Sequence, residues 1–190
     1  MKKSFYPRRK NSNASLIENR LTGNYPERKQ EVAMQKITPC IWFDHQALEA
    51  AEYYVSIFPD ATIETVEYYP ADSPGPEGKV MAVTFELFGQ ECMTLNGGPE
   101  FPLTMGISLI VNCETQQEVD YFWEKLGDGG KEVQCGWLTD RYGLSWQIVP
   151  VALNELMQTG DAEQTYRVMQ AMLGMVKLDT AALQRAFDGE

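Results

Sequence analysis

Few residues in this chain could carry chemistry, and their spacing narrows the choice. The only histidine is His45, and an imidazole is the natural general base near neutral pH. It follows an apolar run at a helix start, with no carboxylate evidently placed to orient it, so it reads as a solvent-exposed histidine. Four cysteines, Cys40, Cys92, Cys113 and Cys135, are widely spaced with no C-x-x-C pair. A zinc site of the common Cys/His type is therefore not expected. Cys40 or Cys92 could act as a nucleophile, but neither has a basic partner nearby in sequence, and small buried thiols are the plainer expectation. The most unusual polar residue is Gln147, set in the apolar run LSWQIVP (144–150). Just before it, Asp140 suits a turn. Arg141 either reaches an anionic ligand or is solvated.

The elements that must position these residues repeat. KITPCIWF (36–43) reads as a strand, Asp44 as an N-cap, and the following stretch as a helix, with Ala47, Ala50, Ala51, Tyr54, Val55 and Phe58 at helical spacing. Pro59 and Asp60 end it. Strands are expected over 62–69, 80–88 and 91–96, with the Pro/Gly-rich loop PADSPGPEGK (70–79) as lid or linker. The second half begins with MGISLIVN (105–112). Thr115 and Glu118 then form a capping box. Val119, Phe122, Trp123 and Leu126 mark one helical face. KEVQ (131–134) is a shrunken strand, and CGWLTD with LSWQIVP makes a hairpin in which Gly143 supplies the positive φ. Each half is β-α-β-β-β, which suggests a duplication whose halves must pack together.

The tail, 151–190, reads as short helices with three apolar patches: Leu153, Leu156 and Met157; then Val168, Met169, Met172, Leu173 and Val176; then Leu178, Leu183 and Phe187. Such Met-rich stripes are core or dimer contacts more often than ligand sites. A homodimer is therefore expected.

Charge sets further bounds. The net charge is −11, but residues 1–33 carry eight Lys/Arg against three Asp/Glu, leaving the rest at eight against twenty-four. An acidic body repels nucleic acid and anionic lipid. No run reaches the ~20 apolar residues of a membrane span. The basic stretch 1–33 has no secretory pattern and reads as a disordered tail or a docking arm, with the folded unit starting at Met34. Reduced cysteines without a signal point to the cytoplasm.

Several longer motifs carry a resemblance: AEYYVSIFPDATI, GQECMTLNGGPEF, ISLIVNCETQQEVDYFWEKL, GWLTDRYGLSWQIVP and RVMQAMLGMVKLD. Together they resemble the PhnB-like branch of the vicinal oxygen chelate superfamily, the glyoxalase, bleomycin-resistance and dioxygenase group. Members of that branch carry the domain name 3-demethylubiquinone-9 3-methyltransferase. The resemblance covers roughly 36 to 188. It implies an α+β fold: two tandem β-α-β-β-β modules (about 36–97 and 105–150, within 34–150) forming a cupped mixed sheet, followed by the helical extension 151–190.

The superfamily places metal ligands on the first and last strand of each module. Here those positions fall near Thr38, at Cys92 or Thr94, near Gly106 and at Gln147. Only Gln147 is an accepted ligand type, so no metal and no cofactor is expected. Strand alternation then puts Thr38, Cys40 and Trp42 in the cup, with Ile37, Ile41 and Phe43 behind them. Ser108, Ile110 and Asn112 follow inward, with Ser145, Gln147 and Val149, while Trp146 and Ile148 fill the core. The expected ligand-binding set is Thr38, Cys40, Trp42, Asn96, Ser108, Trp137 and Gln147, lining a neutral, aromatic cup for a small molecule. In the alternative, Gln147 bonds to Ser108 or Thr38 across a filled barrel. The competing functions are a metal-free binding protein, an enzyme (isomerase or lyase, or the methyltransferase of the domain name), and an interaction module built on the C-terminal helices. The methyltransferase reading lacks its usual Gly-rich strand-to-helix turn: NGGPEF (96–101) leads into a loop.

Overall fold

A computed structural model describes residues 35–190. The basic stretch 1–33 lies outside the described residues. The chain divides into two compact units, the first ending at Pro102 and the second running from Leu103 to Glu190.

The first unit holds β1 (Cys40–Phe43), α1 (Ala47–Ile57), β2 (Thr62–Tyr68), β3 (Val80–Leu87) and β4 (Gln90–Asn96). Its sheet runs β1-β4-β3-β2, with β1 parallel to β4 and the other pairs antiparallel. The second unit repeats that order: β5 (Leu109–Cys113), α2 (Gln116–Gly127), β6 (Lys131–Glu132), β7 (Trp137–Thr139) and β8 (Ser145–Pro150), in the sheet β5-β8-β7-β6 with β5 parallel to β8. The α+β fold with a repeated β-α-β-β-β unit is thus present. Both opening strands are shorter than the apolar runs suggest. Pro39 lacks the N–H that would extend a ladder, and Ile37, expected in the core, is 83% exposed.

One face of each sheet is covered by its helix. Ala47, Ala50, Ala51, Tyr54 and Ile57 of α1 are buried at i, i+3, i+4, i+7 and i+10, and Tyr54 stacks on Phe85 of β3 at 6.0 Å between ring centres. Val119, Phe122, Trp123 and Leu126 of α2 do the same in the second unit. The helix starts differ from expectation. Asp44 does not cap α1. The Ala47 N–H, at the first helical position, is taken by the side-chain Oδ1 of Asn96 at 2.8 Å, while the same amide donates to the Val80 carbonyl at 3.0 Å. The last residue of β4 therefore ties the helix start to β3. At α2 the Thr115 hydroxyl accepts from Glu118 N–H (3.2 Å), as expected, but the Glu118 carboxylate accepts from Glu114 N–H (2.7 Å), one residue before the cap.

The chain ends in α3 (Val151–Thr159), α4 (Ala162–Leu173) and α5 (Thr180–Asp188). Asp161 and Gln164 cap α4 reciprocally, and Asp179 caps α5. Leu153, Leu156, Val168, Leu178 and Leu183 form their core, with Val149 of β8 packed against it. The second predicted patch splits: Val168 is buried, but Met169, Leu173 and Val176 are exposed. Among the described residues no helix is long and apolar enough to cross a membrane.

Two cysteines are sealed in these cores. Cys92 and Cys113 are 2% and 0% exposed, and burial, helped by Glu91 and Glu118, pushes their thiols up from the usual 9.0 to about 11 and about 12. Unfolding lets both ionise near pH 9 instead. The stability gained by keeping them neutral is therefore whole below pH 9 and is lost as pH rises toward 12. The urea midpoint should fall between pH 8 and pH 10.5. In the folded protein, an aromatic disulfide reagent at pH 8 should modify the exposed Cys40 well before either buried thiol.

Candidate functional site

The face opposite the helix is partly exposed in each unit, with Ala82, Thr84 and Ser145 buried on it, and the strand register assigns its residues. Directly paired residues share a face. In the second unit Ile110, Gln147 and Trp137 lie in one row across β5, β8 and β7. Ile110 is exposed, and Gln147 and Trp137 are half-buried. Gln147 Nε2 donates to the Ser108 hydroxyl at 2.9 Å, the bond foreseen as one alternative. Its Oε1 accepts nothing from the described residues. An amide carbonyl flanked by an indole and an aliphatic side chain can take a hydrogen bond from a ligand while the ring packs on apolar surface. Two residues along β8, Ser145 shares this face but is sealed, and its hydroxyl has no partner among the described residues.

A hairpin turn holds that row in place. Gly143 has φ of 88° and its N–H donates to the Asp140 carbonyl at 3.0 Å. The Asp140 carboxylate, 3% exposed, accepts from Tyr142 N–H (2.8 Å), Leu144 N–H (3.1 Å) and the Trp146 indole N–H (2.8 Å). Trp146 and Ile148 fill the helix-side core, as alternation required. The two tryptophans of GWLTDRYGLSW thus divide the work: Trp146 anchors the turn from inside, and Trp137 faces out. Arg141 does not reach over the open face. It pairs with the Asp128 carboxylate and donates to the Asp128 carbonyl at 3.1 Å, fastening the turn to the end of α2.

In the first unit Cys40 and Trp42 share a face with Met93 and Leu95 of β4. The Trp42 indole donates to the Gly98 carbonyl (2.8 Å), and its ring meets Phe101 edge-on at 5.1 Å. Gly97 lies flat against it: a Cβ there would come within 2.2 Å of the ring. Close approach explains Gly97, and a φ of 99° explains Gly98. The loop 70–79 is tied down, because Tyr69 N–H donates to Lys79, Gly78 N–H returns to Tyr69, and the Tyr69 hydroxyl bonds the Asn96 carbonyl.

Three expectations need correction. Asn96 was placed among the lining residues, but its amide points at α1 and β3. Cys92 and Thr94 sit on the helix side too, with the Thr94 hydroxyl on the Ala47 carbonyl at 2.9 Å. The open-face residues of β4 are Glu91, Met93 and Leu95, and Glu91 accepts from the Thr38 hydroxyl at 3.2 Å. Alternation counted from buried Phe85 and its partner Cys92 would have found it. With Glu86 directly opposite Glu91, and Glu67 opposite Ala82 four residues along β3, the first open face is acidic rather than neutral. His45, finally, is exposed as expected but does have a carboxylate, Asp44, at 3.1 Å.

The superfamily's metal finds a poor donor set. Among the described residues no three His, Cys, Asp or Glu gather as a metal site. On the first unit's face Glu86 and Glu91 lie opposite each other without a third such ligand beside them among the described residues, and the corresponding positions of the second unit offer amide and hydroxyl oxygens without a carboxylate, whereas a hard divalent ion favours several charged oxygens. A hollow of about 450 Å³ beside α2, lined by Trp123, Glu124, Asp128 and Glu132 among others, lies on the helix side and includes none of the open-face residues.

These sheets and helices define a glyoxalase-like α+β protein. Its family follows from sequence: residues 35–149 match the family described as 3-demethylubiquinone-9 3-methyltransferase, and the chain belongs to that family, the PhnB-like branch foreseen from the motifs. A solved structure from Bacillus cereus, a putative 3-demethylubiquinone-9 3-methyltransferase, PhnB protein, is 37% identical, with a TM-score of 0.56 over 61% of this chain and 99% of its own. Protein PA1353 from Pseudomonas aeruginosa shares the fold at 23% identity, with a TM-score of 0.52 over 62% of this chain and 98% of its own. No curated protein matches the chain.

Proposed function

We propose that this protein binds a small aromatic or apolar molecule carrying a hydrogen-bond donor, without a metal. The observation that carries this reading is the row Ile110, Gln147 and Trp137, in which apolar side chains flank an amide oxygen that accepts nothing from the described residues. Ser108 orients that amide. In the first unit Thr38, Cys40 and Trp42 are proposed as ligand-facing, and Asn96 is not. The acidic body disfavours nucleic acid and anionic ligands. The same reading has the protein acting in the cytoplasm as a homodimer.

A neutral probe, 1-naphthol, tests it by calorimetric titration. One saturable site per chain is expected, and Trp137→Ala should weaken binding about tenfold or more through lost ring contact. Absence of saturable binding, or an unaffected Trp137→Ala, would sink the proposal. The family's name favours a second reading, methyl transfer. Saturable binding of S-adenosylmethionine would support it, although Gly97 and Gly98 lead into a loop, not the helix start that usually holds such a cofactor.

A further inference from the structure

The C-terminal helices lie beyond residue 149, where the family match stops. Helix α4 has two apolar faces. One, through Val168, enters the core with α3 and α5. The other is open: Tyr166, Met169 and Leu173 stand at i, i+3 and i+7, at 62%, 42% and 49% exposure, and Val176 continues the stripe beyond the helix end. Its surroundings are unusual for this chain. Residues 35–190 carry close to three carboxylates for every Lys or Arg, yet 164–178 contain no Asp or Glu at all. Two copies of an acidic body repel wherever their carboxylates meet. An apolar face whose nearest carboxylate on α4, Glu163, is paired with Arg167 is where that repulsion is small and apolar burial is available.

The pattern is also self-complementary. Turning α4 about a two-fold axis between Met169 and Gln170 sets Tyr166 over Leu173 of the second copy, and Met169 beside its Gln170. A two-fold contact requires this property, since one patch must fit itself. Aromatic and Met side chains are the types enriched at such contacts.

We infer that the open face of α4 is the surface through which two copies of this chain associate. The inference rests on the homodimer reading and names its surface; small-molecule binding stands apart from it. The four side chains expose on the order of 400 Å² per copy, so the contact buries about 800 Å² in all, in the range of weak, reversible association.

Sedimentation velocity on the full chain from about 2 to 200 µM tests it. The wild type should shift from one chain to two across that range. Met169→Glu and Met169→Lys, both at an exposed position and both expected to keep the wild-type circular dichroism, should each associate at least tenfold more weakly. An equimolar mixture of the two should associate more tightly than either alone, because opposite charges then meet near the axis. A wild type that stays one chain throughout would overturn the surface and the homodimer reading together. A Met169→Glu variant that pairs as tightly as the wild type, or a mixture no tighter than its components, would overturn the surface and leave a dimer built elsewhere.

Discussion

Asp140→Ala should lower stability by about 3–5 kcal/mol and the melting temperature by roughly 10 °C or more. The carboxylate is buried and accepts three hydrogen bonds, one of them from the fully enclosed Trp146 indole. Truncation leaves that N–H and the two turn amides without an acceptor. Each hydrogen bond to a charged group contributes about 1.5–3 kcal/mol, and an orphaned buried donor adds its own desolvation cost. Asp140→Asn should fall between the two proteins. Its oxygen can serve the turn amides, but its NH₂ then faces the indole N–H, donor against donor. Urea denaturation of the three proteins gives the comparison. An Asp140→Ala protein within about 1 kcal/mol of wild type would mean that the turn does not depend on this carboxylate. Function should suffer as well, since the same hairpin carries Trp137 and Gln147.

Asn96→Ala should cost about 2–3 kcal/mol, the second-largest expected loss. A lost helix cap alone costs about 0.5–2 kcal/mol, and Asn96 also satisfies the Val80 carbonyl. Asn96→Asp separates the two roles. It keeps the acceptor and adds a negative charge at the positive end of α1, but it loses the donor to Val80. It should recover about half of the loss. Equal losses in both variants would place the stabilisation in the Val80 bond alone.

Most of the fold is legible in the sequence because its signals are local and periodic. The 3.6-residue spacing of Ala47, Ala50, Ala51 and Tyr54 and of Val119 through Leu126 marks both helices and most of the faces they bury, although Ile57 is buried where Val55 was expected. Gly143 and Asp140 mark the hairpin. Alternation in SWQIV separates Trp146 and Ile148 from Gln147 correctly. What escapes is non-local. Asp44 has the right chemistry for a cap at the right place, and nothing near it in sequence reveals that Asn96, 52 residues later, takes the role. The same contact turned Asn96 away from the open face and shifted the phase of β4 by one residue, hiding Glu91. The partner of Arg141, Asp128, is likewise set by the turn of the chain, not by a pattern, whereas the partner of His45 is its own neighbour Asp44. The exposed half of the Met-rich stripe on α4 looks the same in sequence as its buried half.

The binding account rests most directly on the Gln147 carbonyl, and one calorimetric comparison isolates it. 1-Naphthol offers a hydroxyl donor; 1-methoxynaphthalene has the same ring without it. The wild type should prefer the naphthol several-fold, as one net hydrogen bond of about 1 kcal/mol requires, and Gln147→Ala should bind the two alike. The same preference in Gln147→Ala as in wild type would contradict the account, because the donor would then be meeting some other group.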